Sequence, residues 1–398
     1  MANKNKTIVL GVTGSIGAYN AVDLASRFTQ NGFRVEVVMT ESAQKFVAPL
    51  TFRNLTGRPV VTTMWDLSSE FSVEHVALAE AADVVLIAPC TANVIAKLSN
   101  GIADDMLTCT VLATLAPVVI APAMNDNMWA NKVTQENVEK LKKRGFTFVG
   151  PAHGRLASGK VGTGRLTSLD EIYALVLQVL GRKGDLAGKH LVVTAGGTQE
   201  PVDPVRCLTN RSSGKMGYAI AEAARVRGAK VTLVSAPTAL PRPHGIDIVG
   251  ICTAEEMLEA VQKAVKNADA LIMAAAVADF RHARASSKKI KRQELTGLVL
   301  ELEKTPDILG QVKGGFIRVG FAAESNDLIA NATEKIKKKG LDLIVANDIT
   351  TRGCAFGSDT NRVSIIDSKG KVEDLPLLPK REVADKILDR VVGLVKKK

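Results

Sequence analysis

The stretch GPAHGRLASGKVGTGRL, residues 150–166, gathers side chains that could do chemistry. Five of its seventeen residues are glycine, three are basic, and a serine, Ser158, sits between Ala157 and Gly159. The segment reads as mobile and basic, and what a serine could do there is open. Two glycine turns carry a second kind of chemistry. GVTGSIG (11–17) and AGGT (195–198) each follow a strand-like run and lead toward a helical pattern. Glycines there let the backbone approach a phosphate, and a helix N-terminus adds partial positive charge.

Those turns alone leave the ligand open. Any doubly wound protein needs a tight first turn, and GVTGSIG lacks the full GxGxxG spacing, so nucleotide, flavin and purely structural readings all stand. A dinucleotide site wants an acidic residue ending the second strand. The second half has none in VTLVSAPT, and the first has Glu41 two residues late. SSGKMG contains Gly-Lys, but Met216 stands where a Walker A motif needs Ser or Thr. Five cysteines (Cys90, Cys109, Cys207, Cys252, Cys354) are scattered, with no CxxC or Cys/His cluster. Neither a metal centre nor a disulfide framework is expected, and a reducing cytoplasm fits.

The elements that must position these residues come in two similar series. Residues 7–12 read as a buried strand, 16–30 as a helix stopped at Asn31-Gly32, and Val35–Met39 as a second strand. VVLIAP (84–89) and VVIAP (118–122) are further strands between helices. The pattern restarts at KHLVVTAGGT, with helix GYAIAEAARVRG and strand AKVTLVSAPT. Helix 255–267, strands ADALIMAAAVADF and IRVGFAAE, basic helix 328–339, strand LDLIVAND and a terminal helix follow. The expected fold is α/β: two tandem doubly wound, Rossmann-like parallel-sheet domains, 1–188 and 189–398, joined at GRKGDLAGK (181–189).

Bulk properties narrow the partners. The 398 residues are 46% hydrophobic and 23% charged, the profile of a soluble globular protein. No run nears the roughly eighteen apolar residues of a membrane span, and no signal peptide is read at the start. The net charge of +11 with only 4% aromatics favours phosphorylated small molecules over nucleic acid.

Longer motifs, in order along nearly the whole chain, carry a resemblance. The first half has GVTGSIGAY, EHV (74–76), PCTANVIAKLSNGIADDML (89–107) and APAMN (121–125), and resembles the flavin-dependent cysteine decarboxylases; GRLASGKVGTGR resembles their substrate-binding flap. The second half has TAGGTQEPVDPVR, LTNRSSGKMG, AAAVADF, KKIK and GFAAE, and resembles phosphopantothenate–cysteine ligase. The tandem is similar to the bifunctional enzymes of bacterial coenzyme A synthesis. The resemblance implies CTP-dependent joining of cysteine to 4′-phosphopantothenate through an acyl-cytidylate. FMN-dependent decarboxylation to 4′-phosphopantetheine then follows.

The same resemblance assigns roles. In the first half His75 moves a proton or holds the substrate carboxylate, and Asn125 binds substrate. FMN is expected at Gly14, Ser15, Ile16, Thr40, Thr91, Ala92 and Asn93, with Met124 beside it. Lys160 and Arg165 of the flap face the substrate phosphate. The resembling enzymes have a cysteine between the equivalents of Ala157 and Gly159, which delivers a proton in the last, reductive step. Here the residue is Ser158, so that step is expected to fail or to draw on another donor such as Cys90. In the second half Asn210 and Lys289 act on the substrate. Met273, Ala274, Ala275, Asp279, Lys289, Pro306, Asp307, Ile308, Leu309, Phe321, Lys335 and Lys339 bind the nucleotide, and Asp279 meets Mg2+. Decarboxylase trimers and ligase dimers are implied, giving a dodecamer. Capping, core packing or solvation would also explain many of these residues singly. An oxidative peptidyl-cysteine decarboxylase and a flavin-binding regulatory subunit are the alternatives.

Overall fold

A computed structural model describes residues 6–65, 73–291, 299–324, 328–348 and 357–396. Arg292, Cys354 and the last two lysines lie outside the described residues. The chain divides into two compact units, Met1–Leu180 and Gly181–Lys398.

The first unit is built on six parallel strands. In sheet order they are Val60–Val61, Arg34–Met39, Thr7–Val12, Val84–Cys90, Val118–Pro122 and Thr147–Phe148. Numbered along the chain this is 3-2-1-4-5-6, the doubly wound order whose direction reverses between first and fourth strands. TIVLGV and VVLIAPC are buried at every position, as strands covered on both faces must be. Their side chains divide between two cores. Ile8, Leu10, Leu24, Phe28 and Ile172 pack on one side of the sheet. Val9, Ile87, Ile95 and Leu107 pack on the other. Each such side chain, fully buried, contributes about 1.5–3 kcal/mol. Glu36, inside the second strand, is held by Arg34 (2.7 Å) and Arg58 (2.6 Å), so it serves the sheet and no ribose.

The flap is a structured element. Ala152–Arg155 and Val161–Arg165 form an antiparallel hairpin. Its glycines permit close approach more than motion. A Cβ on Gly164 would lie 2.3 Å from the Met124 carbonyl oxygen, and one on Gly162 would lie 2.8 Å from Asp126 Cβ. Gly159, in the turn, has a positive φ of +83°, and Gly150, before the hairpin, one of +76°.

The second unit repeats the strand order. Asp247–Gly250, Lys230–Ser235, His190–Ala195, Ala270–Met273, Ile317–Glu324 and Leu343–Asp348 are parallel neighbours. Two antiparallel strands, Val363–Asp367 and Val372–Asp374, extend its edge, so the sheet is mixed, where an all-parallel one was expected. The expected strand over ADALIMAAAVADF stops at Met273. Residues 274–279 leave the sheet, because Thr194 Oγ1 takes the Ala275 amide (3.0 Å) and Thr198 Oγ1 takes that of Ala278 (2.9 Å). Helices Lys215–Val226 and Lys380–Val395 cover one face through Ile220, Ala224, Ile387 and Val391, all without exposed surface.

Candidate functional site

In the first unit the strand ends at the reversal point gather most of the expected cofactor residues. Thr13, fully buried, straps the two central strands: its hydroxyl donates to the Pro89 carbonyl (2.8 Å) and accepts from the Thr91 amide (3.1 Å). Gly14 follows, tight against Ser42, where a Cβ would come within 2.4 Å of the Ser42 side chain. Ser15 caps the short helix Ile16–Ala18 by accepting from the Gly17 amide (3.3 Å). Ile16 is 62% exposed, an apolar side chain facing outward beside the turn. Thr40 continues the second strand; its amide bonds Val12 O and its hydroxyl accepts from Ala43 N (3.3 Å). Thr91 caps helix Ala92–Asn100 through the Val94 amide (3.4 Å), so Ala92 and Asn93 open a helix N-terminus at the crevice.

After the fifth strand, Met124 N bonds the Gly164 carbonyl (2.9 Å), which ties the flap to this strand end. Asn125 caps helix Asp126–Ala130, its Oδ1 accepting from the Asn127 amide (2.9 Å). The cap uses the oxygen and leaves the Nδ2 hydrogens for other partners. His75 is half-buried in the first turn of helix Glu74–Ala81. Ser158 is exposed at the hairpin turn, closed by Leu156 N to Lys160 O (2.8 Å) and Gly159 N to Leu156 O (2.9 Å). No hydrogen bond among the described residues links His75 or Ser158 to the strand-end group. Cys90, named as a substitute proton donor, fails on access. It has no exposed surface, and burial pushes its thiol far up, so it does not line the crevice.

Sequence reasoning missed two features here. Thr13 adjoins a glycine that was singled out, yet nothing in the sequence shows which carbonyl it reaches. Asp126 keeps a buried Oδ1 without a partner among the described residues, beside Gly162, which no local pattern betrays.

In the second unit a cavity of about 890 Å³ opens at the ends of the central strands. Asn210, Met273, Ala274, Ala275, Asp279, Pro306, Asp307, Ile308, Leu309, Phe321, Lys335 and Lys339 all line it. Asn210 Nδ2 donates to Val277 O (3.1 Å) and Ala276 O (3.4 Å), fixing the loop after the fourth strand. Asp307 caps helix Ile308–Gln311 and pairs with Lys339, while Lys335 donates to the Phe321 carbonyl (3.1 Å). Burial acts to raise the Asp307 carboxyl, but the Lys339 ammonium and the Gly310 amide hold it below the usual carboxylate range. Phe321 packs partly on the core as well as lining the cavity.

Lys289 stands apart. It is exposed and does not line the cavity. The next residue is tethered instead: Ile290 N donates to Asp203 (3.2 Å) and its carbonyl accepts from Arg206 (2.5 Å). Asp203 and Arg206 belong to the turn between Gln199–Pro201 and Cys207–Thr209, and Asn210 follows that hairpin. Lining residues not expected from the sequence include Ser212, Ser213, Lys215, Lys304, Asn347, Asn361 and Lys380. The serines and Lys215 sat inside a quoted motif. Asn361 and Lys380 carried no signal. Among the described residues no group of three or more His, Cys, Asp or Glu could hold a metal. No helix there is long and apolar enough to cross a membrane.

Comparison with known proteins agrees with this division. A profile described as flavoprotein matches residues 1–181. One described as the DNA/pantothenate metabolism flavoprotein C-terminal domain matches 186–394. The coenzyme A biosynthesis bifunctional protein CoaBC of Bacillus subtilis is 44% identical over 398 residues, 98% of this chain and 98% of that protein. Its counterpart in Mycobacterium tuberculosis is 41% identical over 405 residues, covering 97% and 96%. Among solved structures, a CoaBC C-terminal domain is 42% identical over 54% of this chain and 100% of its own, with a TM-score of 0.47. A mutant PPC decarboxylase complexed with pantothenoylaminoethenethiol is 32% identical over 43% of this chain and 96% of its own, with a TM-score of 0.40.

Proposed function

The chain belongs to the family of bifunctional coenzyme A biosynthesis proteins, a decarboxylase and a ligase in one polypeptide, and from that premise we propose how its two units divide the work. The second unit ligates cysteine to 4′-phosphopantothenate with CTP. The first decarboxylates the product with FMN. The observation that carries this reading is the 890 Å³ cavity, lined by every expected nucleotide residue except Lys289.

In the ligase, the substrate carboxylate attacks the α-phosphate of CTP and pyrophosphate leaves. Cysteine's amine then displaces CMP. Negative charge grows on phosphate oxygens, which Lys335 and Lys339 are placed to meet once Asp307 yields its partner. Mg2+ would be held mainly by those oxygens, with Asp279 as its protein ligand. Asn210 orients the substrate from the loop it already fixes. Lys289, expected at the triphosphate, stands outside the cavity beside Ile290, which Asp203 and Arg206 tether.

In the decarboxylase, the strand-end residues fit a flavin mononucleotide. Hydroxyls of Ser15, Thr40 and Thr91 and the N-terminus of helix Ala92–Asn100 suit its phosphate and polar edge, and exposed Ile16 suits its ring. When bound, the flavin supplies oxidation of the substrate thiol, without which the departing carboxylate's electron pair has nowhere to delocalise. His75 steers the substrate carboxylate or a proton at the helix start. Asn125 offers its Nδ2 hydrogens to the same carboxylate. Ser158, at the hairpin tip, replaces a thiol of pKa about 8.5 with a far weaker acid. Carbon dioxide therefore leaves, but the closing protonation lags and an enethiol accumulates. Exposed Leu112, Leu115 and Ile102 fit burial between subunits of a homo-oligomer, with trimeric decarboxylase and dimeric ligase contacts.

One experiment tests both halves. Sustained pyrophosphate release from CTP should need both phosphopantothenate and cysteine, with no more than a single-turnover burst when cysteine is absent, and the mass of the sulfur product should be that of the enethiol. Ser158→Cys should convert it to phosphopantetheine. Normal phosphopantetheine output from the unaltered chain would refute the Ser158 reading. Silence toward every nucleoside triphosphate would refute the ligase.

A further inference from the structure

The ligase cavity holds two acceptors that the nucleotide reading does not use. Asn347 and Asn361 both line it, and each has a buried side-chain Oδ1 with no hydrogen-bond partner among the described residues. Asn361 is only 3% exposed. Buried polar atoms are nearly always paired, so two orphans in one cavity call for a ligand that supplies the donors. The two sit close together. Asn347 is the register partner of Val363 in the antiparallel pair, and Asn361 lies two residues before Val363. Asn361 ends the short strand Thr360–Asn361, and Arg362 alone separates it from Val363–Asp367.

Charge beside them has the opposite sense. Lys215 and Lys380 line the same cavity. Lys215 Nζ donates to Gly357 O (2.7 Å) and Asp359 Oδ1 (2.7 Å), and Lys380 Nζ donates to Ser358 O. These bonds fix the segment that carries Asn361. An ammonium has three hydrogens, so further acceptors can join.

We propose that Asn347, Asn361, Lys215 and Lys380 form the amino-acid subsite of the ligase, which takes cysteine by its α-amine and α-carboxylate. The proposal rests on the ligase reading of this cavity. A neutral primary amine has two N–H donors, and two carbonyl oxygens match them. Its lone pair is then left directed at the acyl carbon. The neighbouring lysines favour the neutral amine over the ammonium, since like charges repel, and they attract the carboxylate. As the C–N bond forms, the acyl–oxygen bond to CMP breaks. CMP keeps that electron pair and the amine's surplus proton passes to water.

The test separates the two half-reactions. Asn347→Leu and Asn361→Leu should each raise the KM for cysteine at least about tenfold, the loss of one charge-free hydrogen bond with its partner left unpaired. KM for CTP and phosphopantothenate should hold, as should the cysteine-independent burst of pyrophosphate. A raised KM for CTP, or a lost burst in variants with unchanged Tm, would assign the oxygens to the nucleotide and overturn the proposal. Unchanged cysteine kinetics would overturn it too. If neither variant folds, the unaltered protein decides. 3-Mercaptopropionate, which is cysteine without its amine, should not compete with cysteine; equal competition overturns the proposal. A chain with no pyrophosphate burst at all refutes the ligase reading instead.

Discussion

The two units share a strand order and part company at its loops. Each runs 3-2-1-4-5-6 through its parallel strands, and each uses a buried threonine to bind the loop after its fourth strand. In the first unit Thr13 follows the strand and makes two bonds across the reversal point. In the second, Thr194 sits inside the first strand and Thr198 beyond it, each taking one amide. The turn then differs. GVTGSIG passes directly into helix, through Ile16–Ala18 to Tyr19–Gln30. After AGGT the chain makes a hairpin, Gln199–Pro201 with Cys207–Thr209, before helix Lys215–Val226 begins. That excursion and the edge beyond Leu343–Asp348 wall a cavity roomy enough for a nucleotide and a second substrate. One sheet thus serves two chemistries because loops at the strand ends, and no strand, choose the ligand.

If each unit keeps its own site, a lesion in one should spare the other. Asp279→Asn removes the carboxylate proposed to hold Mg2+ beside the growing phosphate negativity and should cut CTP-dependent pyrophosphate release about 10²–10³-fold. The flavin absorbance of the purified chain should not change. Loss of the yellow colour in that variant would break the comparison at its root.

A smaller effect sharpens it. Thr13→Val should orphan both the Pro89 carbonyl and the Thr91 amide, at about 1–3 kcal/mol for each unpaired buried group. Thr194→Val orphans only the Ala275 amide. Denaturant unfolding should show the first substitution costing more than the second. Equal costs would mean that the strap in the first unit is not shared between two strands.

How much of this the sequence reveals depends on the range of the interaction. Uninterrupted apolar runs such as VVLIAP declare buried strands, and apolar spacing in 328–339 declares a helix, because both are local periodicities. The expected cavity residues were legible through the motifs that carry the resemblance, such as AAAVADF and GFAAE, and not through any local periodicity. The flap hairpin was not, since GRLASGKVGTGR has no alternation to read and Gly164 is required by a carbonyl forty positions away, at Met124. Strand direction is equally silent: VSIID reads as a strand, but nothing local makes it antiparallel to Leu343–Asp348. Asn347 and Asn361 escaped for the same reason. Each is an ordinary polar residue until the fold buries its oxygen.

The smallest effect concerns the one ion pair proposed to open during turnover, Asp307 with Lys339. Its carboxyl titrates below the usual range in the folded chain. The stabilisation is therefore complete above the unfolded value of about 3.9 and is lost as pH falls through the lower folded value. Asp307 is half exposed, so solvent screens the pair and its worth stays within about 1 kcal/mol. Asp307→Asn should lower Tm slightly at neutral pH, and that difference should shrink as the pH falls through the range where the folded carboxyl protonates. The same substitution frees Lys339 for the triphosphate, so KM for CTP should fall even as Tm does. A variant that loses stability and CTP affinity together would show that Asp307 holds the lysine in place for the nucleotide and does not compete with it.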